Sequence, residues 1–211
     1  MGAHRIVTRL GKRLFGAAPR AEGRHLDALH LDVLERRYPS RWLRAAYCGV
    51  NAFIALLLMA VIALVTHQPF LFPSLGPTAF LLFRTPEAPT ASPHNTVYGH
   101  LIGVLAGWFG LAVTGLLHTG PDLMHVDWRR VLAAVIALGL TCTLMPVFRA
   151  DHPPAGATTL IVALGLLRSP AELATIMLAV LVLSAQGCLI NRLAGLPYPL
   201  WRHPRDQRKG T

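Results

Sequence analysis

FPSLGPTAFLLF (residues 72–83) and HPPAGATTLIVALGLL (residues 152–167) decide the fold of this 211-residue chain. Both are apolar, and both are too short to cross a bilayer as helices. At about 1.5 Å per residue, 75–83 and 155–167 would reach only ~14 and ~20 Å of a hydrocarbon core ~30 Å thick. Each opens on proline and glycine, so each reads as a half-helix preceded by extended backbone. Laid over one another, PSLGPTAFLLF (73–83) and PPAGATTLIVA (153–163) match Pro73 with Pro153, Gly76 with Gly156 and Thr78 with Thr158, at a common offset of 80.

Long apolar runs flank each short one: 45–66 and 97–118 around the first, 131–148 and 171–190 around the second. Runs of ~18–22 residues are long enough to span. The expected fold is therefore an all-α polytopic membrane protein with four full transmembrane helices. Two short Pro/Gly-broken half-helical segments complete two pseudo-repeats, 45–118 and 131–191. Irregular backbone at membrane depth is tolerated only where protein buries it or a cavity adjoins it. A matched pair of such breaks points to a transporter's binding site; the competing reading is a pair of structural kinks.

Composition agrees. Hydrophobic residues make up 53% and charged residues 14%, where a soluble domain carries roughly 25% charged. Residues 1–44 hold ten bases against four acids, and 192–211 hold five against one. The middle, 45–191, balances five against five, so the whole excess of +10 lies in the tails. A pI near 10.8 can indicate nucleic acid. Here no folded soluble unit carries the basic face, and the pattern reads as two cytoplasmic tails beside anionic lipid. We expect no nucleic-acid partner. Within 1–44, residues 5–15 and 24–38 read as amphipathic surface helices. A bacterial inner membrane is the expected location, with an organellar envelope as the alternative. Cys48, Cys142 and Cys188 lie in apolar stretches without CxxC or Cys/His spacing, and read as small hydrophobes.

Two topologies remain open. Re-entrant short segments give four spans and parallel repeats; crossing segments give six spans and inverted repeats. Loop charge does not choose, because Arg84, Arg129, Arg130, Arg149 and Arg168 divide two inside and three outside either way.

A half-helix that starts inside the membrane exposes unpaired N–H groups and the positive end of its dipole, which together favour a small anion. Gly76 and Gly156 would let the ion approach the backbone, and Ser74, Thr78, Thr158 and Thr159 add hydroxyls. His152 stands at the second break. His94, Asn95 and His100 cluster at the start of the second long helix, where Asn95 is also a candidate cap. That helix carries Gly99, Gly103 and Gly107 at GxxxG spacing, suited to close helix contact and to a possible homo-oligomer face. No acid lies inside an apolar run, and no HExxH, Ser-His-Asp or paired-carboxylate pattern supports an enzyme built on His100, His118 and His152. We expect no cofactor and no metal.

RADHPPAGATTLIVALG (149–165), FPSLGPTAFLLF and SPHNTVYGH (92–100), with the Gly-rich helix that follows, resemble the HPP family of integral membrane proteins. His152-Pro153-Pro154 stands where the name-giving motif falls. The resemblance covers roughly 45–191 and implies a compact helical domain, with nitrite transport as ascribed to some plastid and cyanobacterial members. It carries over to His152, Pro153, Pro154, Gly156, Thr158, Gly76, Asn95, Gly99 and His100. Pro77 after Gly76, and His94 where relatives often have Arg, depart from the family pattern. The expected activity is a permease for a small inorganic anion, nitrite first. The alternatives are a channel or permease for a small neutral solute, and a non-transporting membrane scaffold.

Overall fold

The computed structural model describes residues 41–125 and 127–204, together with Leu31 and Leu34. The surface helices expected within 1–44 otherwise lie outside the described residues. Six α-helices follow in order: α1 (Arg41–Thr66), α2 (Leu75–Arg84), α3 (Pro93–Val113), α4 (Trp128–Val147), α5 (Ala155–Ala163) and α6 (Pro170–Leu193). A 3₁₀ turn, Pro89–Ala91, precedes α3. The described residues contain no strand. α1, α3, α4 and α6 are long and apolar enough to cross a membrane, whereas α2 and α5 are the two short elements.

Local chemistry sets the boundaries. Ser92 caps α3 by accepting from Asn95 N, and Pro93 fills the first helical position, where its missing N–H costs nothing. Asn95 is thus not the cap, because its side chain is committed elsewhere. Asp127 caps α4, and Ser169 with Glu172 forms a capping box on α6. α3 stops at Val113 rather than running to 118, because Gly115 takes a left-handed φ of 69°. Leu116 N then reaches back to Leu111 O, closing the helix. α6 ends the same way, with Gly195 at φ 79° and Leu196 N bonded to Asn191 O. Those two ends lie 80 residues apart.

Contacts fix the directions. Tyr47, near the start of α1, packs its ring on Phe83 at the end of α2 and donates to Asn191 near the end of α6. Tyr198, just beyond α6, donates to Ala91 O just before α3, and His94 N donates to Trp201 O. One end of the bundle therefore holds the starts of α1 and α3 and the ends of α2 and α6. At the opposite end, from the first turn of α4, Arg129 donates to Thr114 O and Arg130 to Gly120 O. Gly165, past α5, lies against the Arg130 guanidinium. Trp108, Leu117 and His118 share a hollow there with Arg168, Pro170 and Glu172 at the start of α6.

Hence α1 and α3 run the same way, and α4 and α6 run the opposite way. The chain can do this only if 67–84 and 148–165 each carry it back across as extended backbone plus half-helix. The repeats are inverted, with six crossings, and both ends of the bundle-forming chain lie on one side.

The pairing repeats as well. Each third helix packs against the first and second helices of the other repeat: α3 on α4 and α5, α6 on α1 and α2. Gly107 of α3 faces Val162 of α5, and Gly187 of α6 faces Leu82 of α2. Both members of that pair shift by the same 80 residues. The stripe Gly99, Gly103, Gly107 is filled from within the chain. A Cβ at Gly99 would lie 2.6 Å from His152 Cβ, and one at Gly103 would lie 2.8 Å from Ala155 O. This face is covered by α5 and its approach, and so is not free to receive a second copy of the chain.

Inverted crossing predicts that His67 and Glu87, both exposed, lie on opposite sides. In a chain whose native cysteines are replaced, His67→Cys and Glu87→Cys should react with a membrane-impermeant thiol reagent from opposite faces of sealed vesicles. Labelling of both from one face would return the parallel, re-entrant topology.

Candidate functional site

The two half-helices begin side by side. Gly76, Pro77, Phe80 and Leu81 of the first segment and Pro153, Pro154 and Ala157 of the second line a groove of about 680 Å³. The start of each repeats at the common offset, since Leu75 N donates to Phe72 O at 2.9 Å and Ala155 N to His152 O at 3.0 Å; with Gly156 N on Pro153 O and Ala157 N on Pro154 O, these first N–H groups are paired within the turn, not free as the sequence suggests. From its starting residue each half-helix covers ~14 Å toward its own end of the bundle, so both starts lie near mid-depth.

Behind the groove runs an unbroken line of buried polar side chains. His152 Nδ1 lies 2.8 Å from Thr90 O, and its Nε2 lies 3.3 Å from Thr78 Oγ1. Thr78 Oγ1 lies 3.0 Å from His100 Nε2 and 2.9 Å from Ser74 O. His100 Nδ1 lies 2.7 Å from Thr158 Oγ1. The two rings are 5.0 Å apart between centroids and tilted by 52°. Ser74, Thr78, His100, His152 and Thr158 have no exposed surface. Neither histidine is paired with an acid, and their ring nitrogens meet two threonine hydroxyls and one backbone carbonyl.

The line joins both repeats. Thr78 comes from α2, His100 from α3 and Thr158 from α5, while His152 closes the extended stretch before α5. Gly99 makes the approach possible, since any side chain there would collide with His152. Ser74 adds something of a different kind. Its Oγ is buried without a hydrogen-bond partner, at the N-cap of α2, where it makes no side-chain cap bond. A buried hydroxyl in that condition costs roughly 1–3 kcal/mol unless something pairs with it.

Four of the expected site residues, Thr78, His100, His152 and Thr158, thus form the line itself. Ser74 joins through its carbonyl, while Gly76, Pro153 and Pro154 line the groove. The rest are elsewhere. Thr159 turns to α4, 2.8 Å from Thr141 Oγ1. Gly156 faces Leu138 of α4, with an added Cβ at an ordinary 3.7 Å. His94 bonds Asn95 Oδ1 at 2.9 Å, and Asn95 Nδ2 donates to Asp151 O at 3.4 Å. That pair ties the first turn of α3 to the stretch before α5 and so positions His152. His118 lies at the opposite end of the bundle from His94, apart from His100 and His152. Sequence reasoning missed the Thr90 carbonyl, a backbone atom with no side-chain signature, and Thr141, one of two threonines in an apolar run. Among the described residues, no group of three His, Cys, Asp or Glu side chains could hold a metal ion.

An all-helical bundle of inverted repeats, with broken helices meeting at mid-depth beside buried histidines, defines a polytopic integral membrane protein. The chain belongs to the HPP family: the family model for the HPP transmembrane region matches residues 37–199. It is similar to two transmembrane proteins of Dictyostelium discoideum. One is 29% identical over 118 residues, 54% of this chain and 38% of the relative. The other is 28% identical over 116 residues, 53% of this chain and 34% of the relative. The matched part of the chain thus spans little more than a third of each relative's length. No solved structure matches.

Replacing His100 with Phe keeps the bulk and removes both ring nitrogens, leaving the Thr158 hydroxyl without its partner. We expect His100→Phe to lower stability by roughly 1–3 kcal/mol, read as a fall in the unfolding temperature of the detergent-solubilised chain. An unchanged unfolding temperature would mean that these bonds contribute nothing net.

Proposed function

We propose that this chain is a permease for a small inorganic anion, with nitrite the first candidate on the family resemblance. The supporting observation is the start of α2 beside the start of α5, with the unpartnered Ser74 hydroxyl buried there. Two helix N-termini at mid-depth supply partial positive charge. Ser74 Oγ–H supplies a directed donor, and no acid at the site repels the ion. The six-crossing inverted core is an architecture in which such starts serve as substrate sites. Both tails then lie in the cytoplasm, beside anionic lipid of an inner membrane.

A neutral solute is the second reading. It is favoured by one observation: every side chain in the buried line is uncharged or able to be so, and no lysine or arginine joins it.

The test is nitrite and nitrate uptake into proteoliposomes at two pH values. We expect saturable uptake that His152→Ala abolishes and Ser74→Ala weakens by roughly tenfold in apparent affinity, the size of one lost charge-assisted hydrogen bond. Uptake of neither ion by folded protein would discard the anion reading. Saturable uptake of an uncharged solute in place of either ion would favour the second reading.

A further inference from the structure

The buried line has a fixed direction. A carbonyl oxygen only accepts, so Thr90 O requires a proton on His152 Nδ1. Neutral His152 therefore presents a lone pair at Nε2, and the group facing it is the Thr78 hydroxyl at 3.3 Å. With the Thr78 proton directed at His152, Thr78 Oγ1 accepts from His100 Nε2–H, and His100 Nδ1 accepts from the Thr158 hydroxyl. Each proton is used once.

Thr78 also has a second acceptor, Ser74 O, at 2.9 Å. If His152 gains a proton at Nε2, the Thr78 hydroxyl can rotate to Ser74 O and take the new N–H on its oxygen. Its two lone pairs then accept from both histidines. The ring's other N–H remains on Thr90 O. The same atoms thus satisfy every polar group with His152 neutral and with His152 charged, and only a hydroxyl hydrogen moves. His100 has no such reserve. A proton on its Nδ1 would displace the Thr158 hydrogen, for which no described bond supplies a new acceptor.

We propose that His152 and Thr78 form a proton-binding switch, and that passage of the anion is linked to one proton held there. The proton comes from hydronium: the Nε2 lone pair forms the N–H bond, water leaves, and the ring becomes an imidazolium beside the helix starts. Among the described residues, three neighbouring segments meet His152. α2 presents Thr78, α3 presents His100 and the bare Gly99, and the turn before α3 presents Thr90 O. On its own stretch lies Asp151, which is exposed. Of these, His100 and Asp151 are titratable. The linkage to an anion rests on the permease reading; the proton site does not.

Two arms test it. Nitrogen-15 NMR of the imidazole-labelled chain in lipid nanodiscs, with the signals assigned by their loss in His152→Ala and His100→Phe, reads the tautomers directly. We expect Nδ1–H at His152 and Nε2–H at His100 in the neutral state, with His152 gaining the second proton on acidification. Thr78→Val should lower the proton affinity of His152 about tenfold, because a hydrogen bond to the charged ring is worth more than one to the neutral ring. Thr78→Ser should restore it. An Nε2–H tautomer at His152, or unchanged affinity in Thr78→Val, overturns the switch, and the first of these needs no change at Thr78.

In the second arm, proteoliposomes carrying an internal pH dye receive nitrite, with protein-free vesicles as the background. We expect internal acidification that Thr78→Ser keeps and Thr78→Val loses. Saturable nitrite entry without a matching proton overturns the linkage alone. No nitrite entry by the parent chain, with the tautomers as expected, overturns the permease reading and its linkage but leaves the proton site standing.

Discussion

The close approach of α5 and the stretch before it to α3 is the contact on which the rest depends. A broken helix leaves backbone donors and acceptors at a depth where lipid offers them nothing, so protein must cover the break on at least one side. Gly99, Gly103 and Gly107 provide that cover by their lack of side chains. At each of them a Cβ would fall within 3 Å of an atom of the 152–162 segment. Between helices in lipid the driving force is packing itself, because lipid tails are as apolar as leucine. A glycine stripe maximises that packing and brings His152 to within reach of His100 and Thr78. One device thus shields the break and assembles the polar line.

The two repeats share a plan but not a chemistry. Helix ends, half-helix starts and the Gly107/Val162 and Gly187/Leu82 contacts all recur at the same interval. The other stripe positions have diverged: Gly99 and Gly103 correspond to Ala179 and Leu183, and His100 corresponds to Val180. His152 corresponds to Phe72, which is buried. Both histidines therefore depart from apolar counterparts. The histidines break the symmetry of a line whose hydroxyls, Thr78 and Thr158, keep it.

Much of this was legible in the sequence. Prolines and glycines at 73–77 and 153–156, set in runs too short to span, marked the half-helices. The matched offset marked the repeats. Helix ends were overrun where a glycine turns left-handed after an apolar stretch: the run to 118 stops at Val113 before Gly115, and the run to 167 stops at Ala163 before Gly165. Hydropathy cannot see that change of backbone hand, since Leu116 and Leu117 are as apolar as the helix before them. Topology was hidden because the loop arginines divide two inside and three outside under either model. The polar line was hidden because Thr78, His100 and His152 lie 22 and 74 residues apart, and one link is a carbonyl that any residue could supply. GxxxG spacing correctly called for close contact, but its partner lay in the same chain rather than in a second one.

An even number of crossings has a consequence for chain architecture. The start of α1 and the stretch after α6 meet at one end of the bundle, where Leu31 N bonds Ala194 O. A soluble module joined before or after such a core shares one compartment with the other terminus, unless it brings a span of its own. The Dictyostelium relatives are matched over little more than a third of their length. Chain attached at either terminus reaches the face where α2 emerges without another segment having to cross. For a core of this kind, parity alone places both attachment points in one compartment.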